Sequence, residues 1–220
     1  MSEHTLNKKA GSEFESAYNY FMLLKPRVMS LAIFTALVGQ ILASHQSFKN
    51  PMLTFISLFS IALGAGAAGC INMWYERDID ALMQRTKNRP IASGKVSVGL
   101  GIFYAGILCI LAFLILINFN YFTIFAALGS MPLAFTYPLM KRYTYWPQLF
   151  LGITFNWGLV MAWTAMLNNV SVDILILYFS AIFWTLGYDT IYGAQDMSDD
   201  EIIGLKSTAI KFKTNLKLFV

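Results

Sequence analysis

The chain has 220 residues, of which 57% are hydrophobic and only 13% are charged. The charged share is about half of that in soluble domains, and the mean hydropathy is +0.56. These values exclude a soluble globule, a disordered chain and a small disulfide scaffold. They predict an integral membrane protein.

Long stretches without a charged residue predict an all-α, polytopic bundle of transmembrane helices, because a helix needs about 20 mostly apolar residues to cross a bilayer. The run from Val96 to Met140 is long enough for two helices, with a break at Asn118 and Asn120. Residues 1–25 are polar and are predicted to be a flexible cytoplasmic tail. The six predicted spans are Val28–Ala43, Met52–Trp74, Val98–Ile117, Tyr121–Met140, Trp146–Leu167 and Asp173–Ala194.

Basic residues are concentrated on one side of the predicted bundle. Fifteen of the sixteen Lys and Arg residues fall on the side of the N-terminus, and only Lys49 falls on the other. The positive-inside rule therefore predicts a cytoplasmic N-terminus. Basic loops beside an anionic leaflet account for the net charge of +4, so no nucleic-acid partner is predicted.

The acidic residues are distributed unevenly, since eight of the twelve lie in two clusters on the predicted cytoplasmic side. In the first cluster, Asn72, Glu76 and Asp80 are four residues apart and therefore share one helical face. In the second, Asp196 and Asp200 share a face with Asp189 by the same rule. Ordinary hydrated acids at a membrane boundary are the alternative interpretation of these clusters.

The chemistry of the two clusters indicates a divalent cation. Carboxylates this close repel one another unless a cation lies between them. Oxygen ligands without His or Cys suit Mg²⁺, which binds one or two carboxylates while substrate phosphates complete its shell. Cationic side chains that suit a diphosphate lie nearby in the sequence: Arg85, Lys87, Arg89, Lys141, Arg142 and Lys206. A simple stop-transfer pair is the alternative interpretation of Lys141 and Arg142.

The two clusters resemble the two aspartate-rich motifs of the UbiA superfamily of intramembrane prenyltransferases. The first reads Asn72-x-x-x-Glu76-x-x-x-Asp80, then Arg85-Thr86-x-x-Arg89-Pro90; the second reads Tyr188-Asp189-Thr190-x-Tyr192, then Asp196-x-x-x-Asp200 and Lys206-Ser207-Thr208. The resemblance covers about residues 18 to 212 and implies a bundle of nine transmembrane helices. We therefore expect an incomplete UbiA-like domain over residues 26–212, with residues 213–220 as a truncated end.

Different segments of the chain resemble two branches of the superfamily. The segments 137–148 and 152–158 resemble 4-hydroxybenzoate polyprenyltransferases of ubiquinone biosynthesis. The segments 24–30, 34–39 and 64–75 resemble protoheme IX farnesyltransferase, the haem O synthase branch, although its Thr-Pro-Pro-His segment is missing. The resemblance thus implies magnesium-dependent transfer of a polyprenyl group to 4-hydroxybenzoate. Haem farnesylation, or an inactive fragment of either enzyme, is the alternative, and a cation or proton carrier is the rival from another class.

The resemblance also implies roles for individual residues. Asn72, Glu76, Asp80, Asp196 and Asp200 would hold Mg²⁺, and the catalytic group would comprise Asp80, Asp189, Asp196, Asp200 and Arg142. The residues expected to bind substrate are Arg27, Lys87, Arg89, Lys141, Arg142, Tyr188, Tyr192 and Lys206. The expected partners are a polyprenyl diphosphate, a small aromatic acceptor and the lipid bilayer. The expected location is a bacterial inner membrane, with both motifs on the cytoplasmic side.

Overall fold

The computed structural model describes residues 15–43 and 50–220, and these residues form helices and turns without a β-strand. The predicted all-α bundle is therefore confirmed. The helices are α1 Glu15–Leu23, α2 Pro26–Leu42, α3 Pro51–Tyr75, α4 Arg77–Asp80, α5 Val98–Leu116, α6 Tyr121–Thr136, α7 Met140–Tyr143, α8 Pro147–Phe155, α9 Trp157–Leu167, α10 Val172–Gly193, α11 Met197–Ile203, α12 Thr208–Lys211 and α13 Leu216–Phe219.

Five helical segments in the described residues are long and apolar enough to cross a membrane, and a sixth span results if α1 and α2 count as one bent helix. The predicted spans agree with these segments to within a few residues. Two of the spans are interrupted. A 3-10 turn, Tyr137–Leu139, separates α6 from α7, and Asn156 separates α8 from α9.

Polar caps explain where several of these helices begin. The side chain of Asn50 accepts a hydrogen bond from the Leu53 amide at the start of α3. Asn120 caps α6 in the same way, through the amide of Thr123 at 2.9 Å. Such caps satisfy amides that have no partner in the first helical turn. The predicted break at Asn118 and Asn120 is thus confirmed.

Helix α1 lies where the sequence predicted a flexible tail. Its last residue, Leu23, is fully buried against Ala67 and Cys70 of α3. The helix meets α2 at an angle of 48°. The rest of the predicted tail, residues 1–14, lies outside the described residues. Burial of an apolar side chain on α3 therefore orders the part of the predicted tail next to the first span.

The bundle is held together by helices that pack in pairs. Helix α3 packs mainly on α5, α2 on α9, and α10 on α8. Gly39 of α2 permits one close approach, because a Cβ atom there would lie 2.9 Å from the carbonyl oxygen of Leu159. Small residues allow this kind of close packing between membrane helices. Large apolar side chains remain exposed around the bundle, among them Phe55, Phe103, Phe125 and Phe183, as expected for a surface in contact with lipid.

Candidate functional site

The first acidic motif lies at the junction of α3 and α4. Asn72, Glu76 and Asp80 are all buried, and Asp80 is only 1% exposed. The amide of Glu76 donates to the carbonyl of Asn72 at 3.0 Å, and the amide of Asp80 donates to the carbonyl of Glu76 at 2.7 Å. These bonds continue the helical turn across the junction. The three side chains therefore follow one another along one face, as the spacing predicted.

Glu76 is surrounded by three cations from different parts of the chain. Its carboxylate lies 2.9 Å from Lys141 Nζ, 3.4 Å from Arg89 Nη1 and 3.7 Å from Lys25 Nζ. Burial alone would raise the pKa of this carboxyl, but Lys25, Lys141 and Arg89 outweigh burial and lower the pKa to about 2. Glu76 is consequently ionised at neutral pH in spite of its burial.

Asp80 is paired with Arg89, which returns to the motif from the loop that follows α4. Arg89 Nη1 lies 2.8 Å from each carboxylate oxygen of Asp80. The loop is anchored by the hydroxyl of Thr86, which donates to the carbonyl of Asp80 at 3.2 Å. Met83 of the loop also packs with Ile79 and Leu205 in an apolar cluster. The loop thereby holds a guanidinium against an almost inaccessible carboxylate.

The second acidic motif is joined directly to this same loop. Arg85 forms a bidentate pair with Asp196, with 2.9 Å from Nε to Oδ1 and 2.6 Å from Nη2 to Oδ2. The neighbouring Gln84 amide donates to Asp199 Oδ2 at 3.1 Å. The hydrogen bond to Asp196 raises the pKa of Arg85 against the opposing effect of burial. The two motifs therefore meet at one end of the bundle.

The remaining acids of the second motif have fewer cationic partners. Burial raises the pKa of Asp200 to about 6, and the nearby Asp196 adds to that effect. The carbonyl of Asp200 accepts the Leu205 amide at 2.8 Å, a turn in which Gly204 adopts φ +81°. Asp189 is partly buried near the end of α10. This half of the site thus carries acids that are less completely neutralised than Glu76 and Asp80.

The segment from Tyr137 to Tyr143 contacts both motifs. The Tyr137 hydroxyl accepts a hydrogen bond from the Asn72 amide group at 3.4 Å. Lys141 binds Glu76 through its side chain, while its carbonyl accepts the Lys206 amide at 2.9 Å. Lys206 Nζ donates to the carbonyl of Tyr143 at 3.1 Å. This segment therefore links the first motif to the loop that follows the second.

The other residues predicted to bind substrate have different surroundings. Arg142 pairs with Asp78 at 3.0 Å rather than with an acid of either predicted metal set. Lys87 is exposed and donates to Gln84, and Arg27 is exposed in the first turn of α2. Within residues 15–43 and 50–220, the ion-pair network around the two motifs thus includes Arg89 and Lys141 but neither Arg27 nor Lys87.

An aromatic row leads along α10 towards the acids. The rings of Trp184 and Tyr188 are stacked with centroids 5.4 Å apart, and those of Tyr188 and Tyr192 are stacked at 6.4 Å. The guanidinium of Arg85 lies over the ring of Tyr192, 5.5 Å from its centroid. The spacing of four residues places these rings on one face. Tyr192 thereby joins the aromatic row to the Arg85–Asp196 pair.

Sequence reasoning missed Lys25, Tyr137 and the pairing of Arg85 with Asp196. Lys25 donates to the side-chain oxygen of Asn72, so it contacts both Asn72 and Glu76. It lies 47 residues before Asn72 in sequence, and spacing could not place it there. Its position in Leu24-Lys25-Pro26-Arg27 was the available signal, since a lysine between two helices near a membrane boundary needs a partner.

The oxygen donors of the site are suited to a hard cation that also carries a phosphate ligand. No three Asp, Glu, His or Cys side chains converge closely enough to hold a metal among the residues that the structure describes. Mg²⁺ commonly binds only one or two carboxylates and takes its other ligands from phosphate and water. The donor set, with hard oxygens on two facing motifs and cations beside them, fits that mode of binding.

Similarity to known proteins agrees with this geometry. The model of the UbiA prenyltransferase family matches residues 32–220. The chain belongs to this family. The resemblance of the two acidic motifs to the UbiA superfamily is therefore confirmed.

Several curated relatives of this chain share one name. The 4-hydroxybenzoate polyprenyltransferase of Rattus norvegicus mitochondria is 47% identical over 74% of this chain and 44% of its own length. The human mitochondrial protein of the same name gives the same values. The relative from Drosophila pseudoobscura is 39% identical over the whole chain and 58% of its own length. The chain thus spans about half the length of these relatives.

Solved structures confirm the UbiA fold. A UbiA homologue from Archaeoglobus fulgidus, solved with DMAPP and Mg²⁺, has a TM-score of 0.72 at 20% identity and covers 88% of this chain and 69% of its own. A digeranylgeranylglyceryl phosphate synthase has a TM-score of 0.75 at 18% identity over 93% of this chain and 72% of its own. Similarity at this level concerns the fold alone.

Proposed function

We propose that this UbiA-family chain takes part in transferring a polyprenyl group from its diphosphate to 4-hydroxybenzoate, in a magnesium-dependent reaction of ubiquinone biosynthesis. The observation that carries the proposal is the meeting of the two acidic motifs at one end of a membrane bundle, where one loop pairs Arg89 with Asp80 and Arg85 with Asp196. The names of the relatives support the aromatic acceptor. The archaeal homologue bound to DMAPP and Mg²⁺ supports the donor and the metal.

The diphosphate is proposed to bind between the motifs. Arg89 and Lys141 already lie there, paired with Asp80 and Glu76. Both cations can turn part of their hydrogen-bonding capacity towards phosphate oxygens, which charged donors bind strongly. Lys206, fixed beside Lys141, supplies a third cation on the side of the second motif. Lys87, on the exposed part of the loop, contributes charge where the head group would enter.

Asn72, Glu76 and Asp80 from one motif, and Asp196 and Asp200 from the other, are the proposed magnesium ligands. When bound, Mg²⁺ acts as a Lewis acid that stabilises the negative charge of the leaving diphosphate. Asp196 would release Arg85 to serve as a ligand, and Arg89 would keep Asp80 oriented. The chain itself contributes the fixed positions of these oxygens on the ends of two helices.

The chemical step is an aromatic substitution. The bond between the allylic carbon and the diphosphate oxygen breaks, and its electron pair leaves with the diphosphate. The ring carbon beside the phenol forms the new carbon–carbon bond and then gives up its proton to the departing diphosphate, so the ring is aromatic again. The faces of Tyr188 and Tyr192 can stabilise positive charge on the allylic carbon, as aromatic rings do for other cations. The product is a 3-polyprenyl-4-hydroxybenzoate and free diphosphate.

The acceptor is proposed to be held by one cation and one acid. Arg142 and Arg27 are the candidates for its carboxylate, and Asp189 is the candidate for accepting the hydrogen bond of its phenol. Arg142 now pairs with Asp78 beside an open cavity lined by Ile79, Leu82 and Leu205. An aromatic acid would fit this cavity, because its carboxylate could pair with the Arg142 guanidinium and its flat apolar ring could pack on the aliphatic side chains.

The proposed location is a membrane in which the basic side, with both motifs, faces the compartment that holds the N-terminus. The named relatives are mitochondrial proteins, and they give no support to the predicted bacterial inner membrane. The charge distribution supports an arrangement in which both motifs lie on the cytoplasmic or matrix side.

A prenyl-transfer assay on membranes that contain the chain tests this function. The membranes are incubated with labelled farnesyl diphosphate and either 4-hydroxybenzoate or haem B, with Mg²⁺ or with a chelator. Prenylated 4-hydroxybenzoate that forms only with Mg²⁺ supports the proposal, whereas farnesylated haem would transfer the assignment to the other branch. Retained transfer in a chain carrying both Asp80→Asn and Asp196→Asn would refute the metal-bridge assignment.

A further inference from the structure

Lys25 adopts an unusual backbone conformation. It lies between α1 and α2 with φ 51° and ψ 62°, in the left-handed region that side chains other than glycine seldom occupy. Such a conformation is unfavourable for a residue with a side chain and persists only where surrounding contacts determine it. Pro26, the first residue of α2, restricts the turn further. Contacts made by this turn must therefore hold it in place.

The contact that holds the turn is with Gly69 of α3. A Cβ atom at Gly69 would lie 2.9 Å from the carbonyl oxygen of Leu24, 3.1 Å from its carbonyl carbon and 3.3 Å from the carbonyl oxygen of Leu23. These neighbours are backbone atoms of the residues just before Lys25, so they cannot rotate away as the end of a side chain can. The turn thus rests directly on the backbone of α3.

Gly69 also lies on the face of α3 that carries the first motif. Asn72 and Glu76 follow it by three and seven residues, which places all three on one side of a helix. Lys25 reaches along this side, where it donates to Asn72 and lies 3.7 Å from Glu76. The absence of a side chain at Gly69 therefore determines how close the Lys25 ammonium comes to two proposed magnesium ligands.

The neighbouring glycines of α3 do not share this property. A Cβ atom at Gly64 would meet nothing within 4 Å, and one at Gly66 would meet the Leu24 Cδ2 atom at 3.0 Å. The first position is open, and the second opposes the movable end of a side chain. Close backbone contact thus distinguishes Gly69 from the other two glycines of this stretch.

We propose that Gly69 is a positioning residue for the candidate site, which acts by seating the Leu24–Lys25 turn so that the Lys25 ammonium reaches Asn72 and Glu76. For the placement of Lys25 the inference stands on geometry alone. For the binding of a magnesium diphosphate it rests on the function proposed above. An alanine at this position displaces the turn and withdraws the cation from both side chains.

The placement of Lys25 is tested by chemical labelling. The chain in nanodiscs is treated with an amine-reactive reagent, and modification of Lys25 is measured by mass spectrometry relative to the exposed Lys95. Gly69→Ala is expected to raise Lys25 modification about tenfold, the equivalent of losing one charge-assisted hydrogen bond. Gly64→Ala, which adds the same methyl group to the same helix, is expected to leave it unchanged. Equal labelling of the two variants would overturn the inference.

Binding of magnesium pyrophosphate, measured by calorimetry, tests the consequence for the site. Gly69→Ala is expected to weaken binding about tenfold, and Lys25→Met by a similar factor. The double variant is expected to bind no more weakly than Lys25→Met alone, because Gly69 acts through Lys25. If the double variant instead weakens binding by the product of the two single-variant factors, Gly69 acts independently of Lys25, and the proposal is contradicted.

The positioning role and the proposed function can fail separately. If the unchanged chain does not bind magnesium pyrophosphate while Gly69→Ala still exposes Lys25, the positioning role stands and the proposed function fails. If Gly69→Ala does not give folded protein by circular dichroism, Gly66→Ala replaces it. That variant is expected to raise Lys25 modification about twofold, since it displaces only the Leu24 side chain. Modification equal to that of Gly64→Ala would then overturn the inference.

Discussion

The two acidic motifs place carboxylates at the same end of the bundle, yet their surroundings differ. In the first motif, Asp80 and Glu76 are buried and paired with cations from three separate segments. In the second, Asp196 has a bidentate partner in Arg85, whose side chain is 40% exposed. The pKa of Glu76 in the first motif is lowered, whereas the pKa of Asp200 in the second motif is raised, and this contrast reflects the difference in surroundings.

This contrast suggests a division of labour within the site. Buried carboxylates with several fixed partners keep their charge and position whether or not a ligand is present. A carboxylate paired with a single half-exposed arginine can exchange that partner at a smaller cost. The first motif is therefore expected to be the rigid half, and the second the half that adjusts when a diphosphate binds.

The largest effect is expected for Asp80→Asn. The change removes the negative charge opposite Arg89, whose side chain is only 24% exposed. Breaking a buried pair in this way is expected to cost roughly 3 kcal/mol of stability and to reduce prenyl transfer about a thousandfold. Thermal unfolding in detergent and transfer kinetics check both values. A variant that loses activity while keeping its stability would show that Asp80 contributes to the site but not to its rigidity.

Asp196→Asn is expected to reduce transfer about a hundredfold, with little change in stability. Its partner Arg85 retains access to water and to the ring of Tyr192, so the unpaired charge remains solvated. The same two measurements are compared with those of Asp80→Asn. A loss of stability as large as that of Asp80→Asn would remove the distinction between a rigid and an adjustable motif.

A smaller effect, dependent on pH, is expected for Lys141→Met. The pKa of Glu76 is lowered to about 2, so the stability from its ionised form is present above the ordinary glutamate range and is lost as pH falls towards 2. Removing Lys141, the closest of the three cations, raises this pKa towards the ordinary glutamate range, so the loss of stability on acidification becomes smaller and is complete at a higher pH. Unfolding measured between pH 3 and pH 6 follows the shift, and Lys217→Met serves as a surface control. Parallel curves for Lys141→Met and the unchanged chain would contradict the proposed ion-pair network.

The smallest effect is expected for Asp78→Asn, between the two main residues of the first motif. Its side chain is 60% exposed, and its pair with Arg142 lies at the surface. The hydrogen bond from Arg142 lowers the pKa of Asp78 against the opposing effect of burial, but exposed pairs contribute little to stability. Unfolding is expected to be unchanged, whereas the KM for 4-hydroxybenzoate is expected to fall because Arg142 becomes available to the acceptor carboxylate. An unchanged KM would remove Arg142 from the proposed acceptor site.

The bundle and the composition of its motifs could be predicted from the sequence, because both depend on local patterns. Apolar length determines which segments cross a membrane, and a spacing of four residues determines which acids share a helical face. The spans and the row of Asn72, Glu76 and Asp80 were therefore predicted correctly. Positive-φ turns at Lys25 and Gly204, and the interruption at Asn156, carry much weaker local signals.

Only the tertiary structure determined which cation belongs to which acid. The pairs Lys25–Glu76, Arg85–Asp196 and Lys141–Glu76 join residues that lie far apart along the chain. Such pairs depend on helix packing, on the return of the loop after α4 and on the close approach allowed at Gly69. Sequence spacing thus determined the acidic side chains that each helix presents, and the packing of helices determined the partners that neutralise them, because charge pairing acts through space and not along the chain.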